Sequence, residues 1–368
     1  MAKILYLGWL GHQNIGDELM YDLFREKFRE KADTTKYKLI PSTRKVLRRL
    51  KRNKPYLHYF DSIVLGGGSL FVPDLVNILY RAVKWHKNIR IFIWGSGIDW
   101  LEKRELIKLG LQTEEEINWK NEFKIFKDPY FRIKLQAIFQ HAQFIGIRGH
   151  YTYQFFQSRG YNLDKVKVTG DPGLLVHMLQ EPPENKDSKK VVINWGTAHQ
   201  RLYGRNEAKL EQEMVDVIKE LVVKGYDVYI YPIWVSDLAP CKSLYHKIED
   251  RQQVHLITDL LDQYGILNLI KDARFTINFK LHANVLSATA GIPFVALGYR
   301  FKTFDFANSI GMDHLVVSTD EAYFSKRILS KVSIIENQEG SLLQNLPAYQ
   351  LQVEKDLEKV FDFFQITH

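Results

Sequence analysis

Lys3-Ile4-Leu5-Tyr6-Leu7-Gly8-Trp9-Leu10-Gly11-His12-Gln13-Asn14-Ile15-Gly16-Asp17-Glu18 is an apolar run of strand length that ends in glycines and passes into a helical pattern. Lys3 to Gly8 reads as a buried strand and Asp17 to Ala32 as an amphipathic helix. Gly8, Gly11 and Gly16 permit a tight turn between them, and the start of the helix offers backbone N–H groups to an anion. Asp17 is of the type that caps a helix start, so the turn reads first as a structural corner and only second as a ligand site. It lacks the GxxxxGK[ST] pattern of a nucleotide P-loop, which argues against ATP hydrolysis.

The same alternation continues outward. Ser62 to Leu65, Ile89 to Trp94 and Phe144 to Ile147 read as further strands, separated by longer helical patterns. Glu181 to Lys190, polar and with two prolines, reads as a linker. The pattern then restarts with strands at Val191 to Asn194, Tyr226 to Tyr231, Phe275 to Asn278 and Pro293 to Ala296. Glu207 to Lys224 is a helix with an outer charged face, and Tyr349 to Phe364 is a closing apolar-striped helix. The expected class is α/β, with two Rossmann-like domains facing a central cleft, at residues 1–180 and 190–345. Residues 346–368 are expected to pack back on the first domain. In such an architecture ligands sit beyond the carboxyl ends of the strands.

Composition narrows the partners. The 368 residues are 45% apolar and 26% charged, which suits two ordinary domains with sizeable cores. A formal charge of +8 points to an anionic partner without choosing it. A single cysteine, Cys241, excludes an internal disulfide and fits a reducing compartment. The opening apolar run is too short for a signal and no run is long enough to span a bilayer, so the expected location is cytoplasmic.

Several strand ends carry chemistry. Gly66-Gly67-Gly68-Ser69-Leu70 and Trp94-Gly95-Ser96-Gly97 repeat the glycine turn, which fits a close backbone approach by a ligand or by the protein itself. Arg148 follows a strand and offers a planar fork to a carboxylate or phosphate, or else a salt bridge. Asp171, in Thr169-Gly170-Asp171-Pro172-Gly173, reads as a turn residue after the next strand. The densest signal is Asn278-Phe279-Lys280-Leu281-His282-Ala283-Asn284, with Tyr299-Arg300-Phe301-Lys302 after the following strand. Histidine exchanges protons near neutral pH, and the cations around His282 suit an anionic substrate. Trp195 and His199 follow the first strand of the second half. Arg44 to Lys54 crowds seven cations around Val46, Leu47 and Leu50, the pattern of a solvated helix face or of a peripheral contact with an anionic membrane or a pyrophosphate-linked lipid. Trp100 to Ala142 is long, charged and aromatic, either ordinary cover for the sheet or an acceptor-recognition lobe.

The run Gly8 to Glu18, with Gly66 to Leu70, Gly95 and Gly97, Arg148 and Gly170-Asp171-Pro172, resembles the polysaccharide pyruvyl transferase family. Phe279-Lys280-Leu281-His282-Ala283 is similar to that family's Arg-Leu-His-Ala segment, followed by Gly291-x-Pro293 and Tyr299-x-x-Lys302. The resemblance implies a GT-B-like fold and transfer of a pyruvyl group from phosphoenolpyruvate to a sugar of a cell-wall or exopolysaccharide unit, forming a cyclic ketal. It implies no cofactor and no metal, with phosphoenolpyruvate as co-substrate and a sugar or lipid-linked saccharide as acceptor. By the same resemblance the first domain is the acceptor side and the second the donor side. Arg148, Lys280 and Lys302 would bind the donor's phosphate and carboxylate beside Leu281 and Tyr299, and His282 would handle protons. Gly8, Gly11, Asn14, Gly16, Asp17, Gly66, Gly67, Gly68, Gly95, Gly97 and Asp171 would line the cleft. Lys280 stands where the family has arginine, and Gly149 where aspartate is common. Two rival readings are a glycosyltransferase using a nucleotide sugar and a catalytically degenerate scaffold in polysaccharide assembly. Nucleic-acid binding lacks any accompanying motif.

Overall fold

The computed structural model of the chain describes residues 1–11, 15–99, 128–176, 187–338 and 342–365. Asn14, Trp119, Phe123, Phe126 and most of the Glu181 to Lys190 linker lie outside the described residues. These form two compact units. The first comprises residues up to Leu175 together with those from Tyr349 onward, and the second runs from Val176 to Ala348.

The first unit holds a six-stranded parallel sheet in the order β2-β1-β3-β4-β5-β6. Its strands are β1 (Ala2–Leu7), β2 (Tyr37–Pro41), β3 (Ser62–Leu65), β4 (Arg90–Ser96), β5 (Phe144–Ile147) and β6 (Val166–Val168). The connecting helices are α1 (Ile15–Lys31), α2 (Arg44–Arg52), α3 (Pro73–Trp85), α4 (Pro129–His141) and α5 (His150–Ser158). β3 and β5 are buried along their whole length because helices cover both faces of a parallel sheet, and apart from Ser62 their sequences carry no polar side chain.

The second unit repeats the design with six parallel strands in the order β12-β11-β10-β7-β8-β9. They are β7 (Lys190–Asn194), β8 (Asp227–Tyr231), β9 (Val254–Leu256), β10 (Phe275–Asn278), β11 (Phe294–Gly298) and β12 (Val316–Ser318). Between and after them run α6 (Glu207–Val223), α7 (Leu238–His246), α8 (Gln263–Ile270), α9 (Leu281–Thr289), α10 (Phe301–Ser309) and α11 (Phe324–Asn337). In each unit the strand order reverses direction from the first strand, the arrangement of a doubly wound Rossmann-like domain.

The chain ends with α12 (Leu346–Glu358) and a 3-10 turn at Phe361–Phe364, so the closing element is two pieces and not the single helix expected from Tyr349 to Phe364. From Tyr349 on, this segment lies against α1 and the first sheet. Lys27 on α1 contacts Glu354 at 2.6 Å and Glu358 at 3.2 Å, and the Trp94 indole N–H donates to the Leu357 carbonyl at 3.2 Å. Phe361 and Phe364 fill the space beside Phe24, Phe28 and Phe92, which explains the closing apolar stripe. Among the described residues no helix is long and apolar enough to cross a membrane.

Candidate active site

In the first unit, the glycine turns are filled by the protein's own side chains. A Cβ on Gly66 would lie 2.1 Å from the Tyr6 hydroxyl oxygen, and one on Gly67 would lie 2.8 Å from the Met20 sulfur and 2.9 Å from Pro172. A Cβ on Gly95, at φ +68°, would run into the same Pro172 ring, and one on Gly97 would lie 2.7 Å from the Arg148 guanidinium. Gly68 takes φ +102°, where an added Cβ would lie 3.4 Å from the Asp17 carboxylate, and Gly11 takes φ +79°. Close packing against Tyr6, Met20, Pro172 and Arg148 therefore accounts for four of these glycines. Burial, with Asp17 nearby, raises the Tyr6 phenol pKa well above its ordinary value, so the hydroxyl stays neutral.

The remaining turn residues hold the same corner. Gly8 donates its N–H to Ser42 Oγ at 2.8 Å, and Ser42 Oγ donates back to the Gly8 carbonyl at 2.8 Å. The Gly11 N–H donates to Glu18 at 2.6 Å. Gly16 is buried in the first turn of α1. Asp17 also sits inside that turn and is not its cap, because the helix begins two residues earlier at Ile15. Asp171 is buried and accepts the Gly173 N–H at 2.9 Å, so it initiates the 3-10 turn Pro172–Leu175.

Arg148 follows β5 but has no exposed surface. Its guanidinium donates to Ser69 Oγ at 3.2 Å and to the Ile98 carbonyl at 3.0 Å. It thereby ties the turn after β3 to the turn after β4. In this position the planar fork binds two loops of its own unit.

The second unit gathers Lys280, Leu281, His282, Tyr299 and Lys302 beyond the carboxyl ends of two interior strands of its sheet. β10 and β11 are neighbours, with Asn278 opposite Ala296, so the residues that follow them emerge side by side. The Phe279 and Tyr299 rings stack with centroids 4.9 Å apart, and Trp195 after β7 meets Phe279 at 5.5 Å. This aromatic row carries the cations. Lys302 Nζ lies 5.3 Å from the Tyr299 centroid, Arg300 lies 4.7 Å from it, and Lys280 Nζ lies 5.5 Å from the Phe279 centroid. Desolvated cation–π contacts of this kind hold long basic side chains in place.

Lys280 is fixed from two directions. Its backbone N–H donates to Asn194 Oδ1 at 2.9 Å. Its ammonium donates to the Thr197 carbonyl at 2.6 Å and pairs with Asp237 Oδ1 at 3.1 Å. Asp237, fully buried on the 3-10 turn after β8, also accepts the Thr197 N–H at 3.1 Å and the Trp234 N–H at 3.0 Å. Gly196 must lack a side chain because a Cβ there would lie 2.3 Å from that carboxylate. An ammonium has three donors, and this network uses two of them.

His282 is half-buried in the first turn of α9, and its Nε2 is out of contact with water. Leu281 and Tyr299 are buried, and Lys302 is half-buried in the first turn of α10. Neither α9 nor α10 has its first turn capped by the N-cap side chain, which is Lys280 in one case and Arg300 in the other. By contrast α6 is capped by Asn206 and α8 by Asp262. Uncapped helix starts combined with cationic side chains favour anions.

Sequence reading passed over Asp237 and Glu207. Glu207 opens α6 and accepts from Thr197 Oγ1 at 2.7 Å, from the Ala198 N–H at 2.8 Å and from the Gln200 N–H at 3.0 Å. It holds a loop in which His199 and Gln200 take φ of 52° and 58°, a left-handed conformation that costs non-glycine residues energy. The loop then pairs its Tyr203 N–H with the Tyr299 carbonyl at 3.1 Å, so it crosses the ends of β10 and β11. Only a strained carboxylate-rich loop spacing could have signalled these acids, and none is visible in one sequence. Among the described residues no group of three or more His, Cys, Asp or Glu is placed to hold a metal ion.

Comparison with known proteins places the chain. The family model for polysaccharide pyruvyl transferase matches residues 14–300, and the chain belongs to that family. No curated protein matches the sequence. Among solved structures, it is similar to Staphylococcus aureus MnaA in a co-structure with UDP, at 10% identity and TM-score 0.61, over 100% of this chain and 98% of the other. It is likewise similar to the Methanocaldococcus jannaschii UDP-GlcNAc 2-epimerase bound to UDP-GlcNAc and UDP, at 11% identity and TM-score 0.59, over 96% and 99%. The lipopolysaccharide outer core galactosyltransferase WaaB gives 12% identity and TM-score 0.51, over 97% and 99%. At these identities the likeness is one of fold, and it is the GT-B-like fold of two Rossmann-like domains.

Proposed function

We propose that the protein transfers the pyruvyl group of phosphoenolpyruvate to a sugar or lipid-linked saccharide of a cell-wall or exopolysaccharide unit, forming a cyclic ketal. The observation that carries this reading is the pair of neighbouring, uncapped helix starts at α9 and α10, flanked by Lys280, Arg300 and Lys302. A donor with a phosphate and a carboxylate close together asks for two adjacent anion sites. Membership of the pyruvyl transferase family supports the same chemistry.

In the proposed reaction one sugar hydroxyl adds to C2 of the donor while C3 gains a proton. The hydroxyl's own proton is released, giving a tetrahedral phosphate ketal. A second hydroxyl then forms a C2–O bond and gives up its proton as the C2–O bond to phosphate breaks and inorganic phosphate leaves. His282 is assigned the proton transfers, and Lys302 with Lys280 is assigned the departing phosphate. The two steps involve no redox change and require phosphoenolpyruvate only as a co-substrate. Arg148 is assigned to the support of the turns around Ser69 and Ile98.

A nucleotide-sugar reading draws on the fold, since two of the similar structures are complexes with UDP. Against it, the Ala198 and Gln200 N–H groups of the loop before α6 are already taken by the protein's own Glu207 carboxylate. Calorimetric titration separates the readings. Phosphoenolpyruvate is expected to bind saturably, with affinity falling at least tenfold in Lys302→Ala, while UDP-sugars do not bind. In His282→Ala, donor affinity should persist while turnover on any productive acceptor is lost. Binding of UDP-sugars without phosphoenolpyruvate would replace this function with glycosyl chemistry, and binding of neither would favour a scaffold.

A further inference from the structure

We infer that α2 is a docking strip for an anionic lipid bilayer and that it binds by charge alone, without inserting. This is independent of the pyruvyl-transfer reading. The helix reads Arg-Lys-Val-Leu-Arg-Arg-Leu-Lys-Arg and contains no acid. Arg44, Lys45, Arg48, Arg49 and Arg52 are all exposed. At 100° per residue they fall within an arc of about 140°, so they share one face. Lys51 falls outside that arc and pairs with Asp74 at 2.6 Å. None of the five has a carboxylate partner among the described residues; Arg49 lies 4.1 Å from the centroid of the Tyr56 ring.

The fold does not require this charge. Cations at i and i+4, as in Arg44–Arg48, Lys45–Arg49 and Arg48–Arg52, repel one another and weaken the helix. Other contacts hold it in place. Leu47 and Leu50 are buried inward, and Arg81 on α3 donates to the Leu50 and Lys51 carbonyls at its end. Those two leucines decide how the helix can meet a membrane. An in-plane amphipathic helix buries its apolar stripe among acyl chains, whereas here the stripe is already used by the protein core. What remains is a convex cationic face about 13 Å long. A convex face cannot enclose a small phosphate, and the Tyr56 ring beside it is already covered by Arg49 and stacked on Tyr59, but it matches a flat array of anionic headgroups.

The test is sedimentation of the full chain with phosphatidylcholine vesicles, with and without phosphatidylglycerol. Binding is expected only with phosphatidylglycerol, and it should vanish between about 0.05 M and about 0.5 M salt as the screening length shortens. The triple variant Arg44→Gln, Arg48→Gln, Arg52→Gln should lower vesicle partitioning roughly 100-fold, from about fivefold per charge. A control with the same charge loss at exposed Lys219, Lys242 and Lys326, each changed to Gln, should bind as the parent does. Melting temperatures of all three proteins establish that they are folded. Binding that survives high salt would overturn the non-inserting contact. Equal loss in both triple variants would assign the effect to net charge, and binding to RNA but not to vesicles would overturn the lipid assignment.

Discussion

The Lys280 ammonium stands 3.1 Å from the Asp237 carboxylate, with the lysine side chain 12% exposed and the aspartate 0% exposed. The pair joins the end of β10 to the turn after β8, with Thr197 of the intervening β7 loop held between them. This gives the lysine at the family's arginine position a physical reason. A point charge with three donors can serve the carboxylate, the Thr197 carbonyl and one further group, whereas a planar fork would commit its donors to one plane.

Breaking that pair should be costly. Asp237→Ala leaves the Lys280 charge uncompensated and two backbone N–H groups without an acceptor, so unfolding free energy should fall by about 3–5 kcal/mol. Lys280→Met should also destabilise, and the double variant should lose less than the sum of the two. Urea denaturation of all four proteins measures the coupling. Additive losses would mean that the two residues do not interact.

Arg148 is expected to behave as a strut. Arg148→Ala removes the guanidinium bonds to Ser69 and Ile98, and hydrogen bonds to charged groups suggest a loss of about 3 kcal/mol. The urea midpoint should drop accordingly. An unchanged midpoint combined with weaker phosphoenolpyruvate binding would show that Arg148 touches the donor instead.

Gly66 should tolerate no side chain. Alanine there would place a methyl 2.1 Å from the Tyr6 oxygen and 2.2 Å from its ring, an overpacking whose cost should sit at the upper end of about 1–3 kcal/mol. Gly225 is the comparison, because it has φ +80° but nothing within 4 Å, so its alanine variant should lose only about 1 kcal/mol from backbone strain. Equal melting temperatures for the two variants would refute the packing explanation.

The contact between α1 and α12 has a defined pH window. Burial lowers the Lys27 pKa, but hydrogen bonds to Glu354 and Glu358 outweigh it, and the net shift is upward from 10.5. A raised folded value means that Lys27 contributes its full stabilisation below the ordinary lysine pKa and loses it as pH rises through the folded one. Lys27→Met should therefore be less stable than the parent at about pH 8, by roughly 1 kcal/mol, and the gap should narrow near pH 11. A gap that stays constant across that range would remove the ion pair as its cause.

The interior strands β1, β3, β4, β5, β7, β8, β10 and β11 were legible in the sequence because parallel strands covered on both faces are continuous apolar runs. The four strands not delimited there, β2, β6, β9 and β12, are the four sheet edges. β2 is only half-buried, β6 exposes Lys167, and β9 leaves His255 and Leu256 partly in water, so none carries an uninterrupted apolar signal. The sequence by itself also determined that Lys280, His282, Tyr299 and Lys302 follow strands, since local spacing fixes what emerges at a strand end. Only the tertiary structure decided that β10 and β11 are neighbours and that Asp237, 43 positions before Lys280, answers its charge. It also decided that the glycine turns of the first unit close on Tyr6, Met20, Pro172 and Arg148. Each of those facts depends on contacts between residues distant in the chain, which periodicity does not encode.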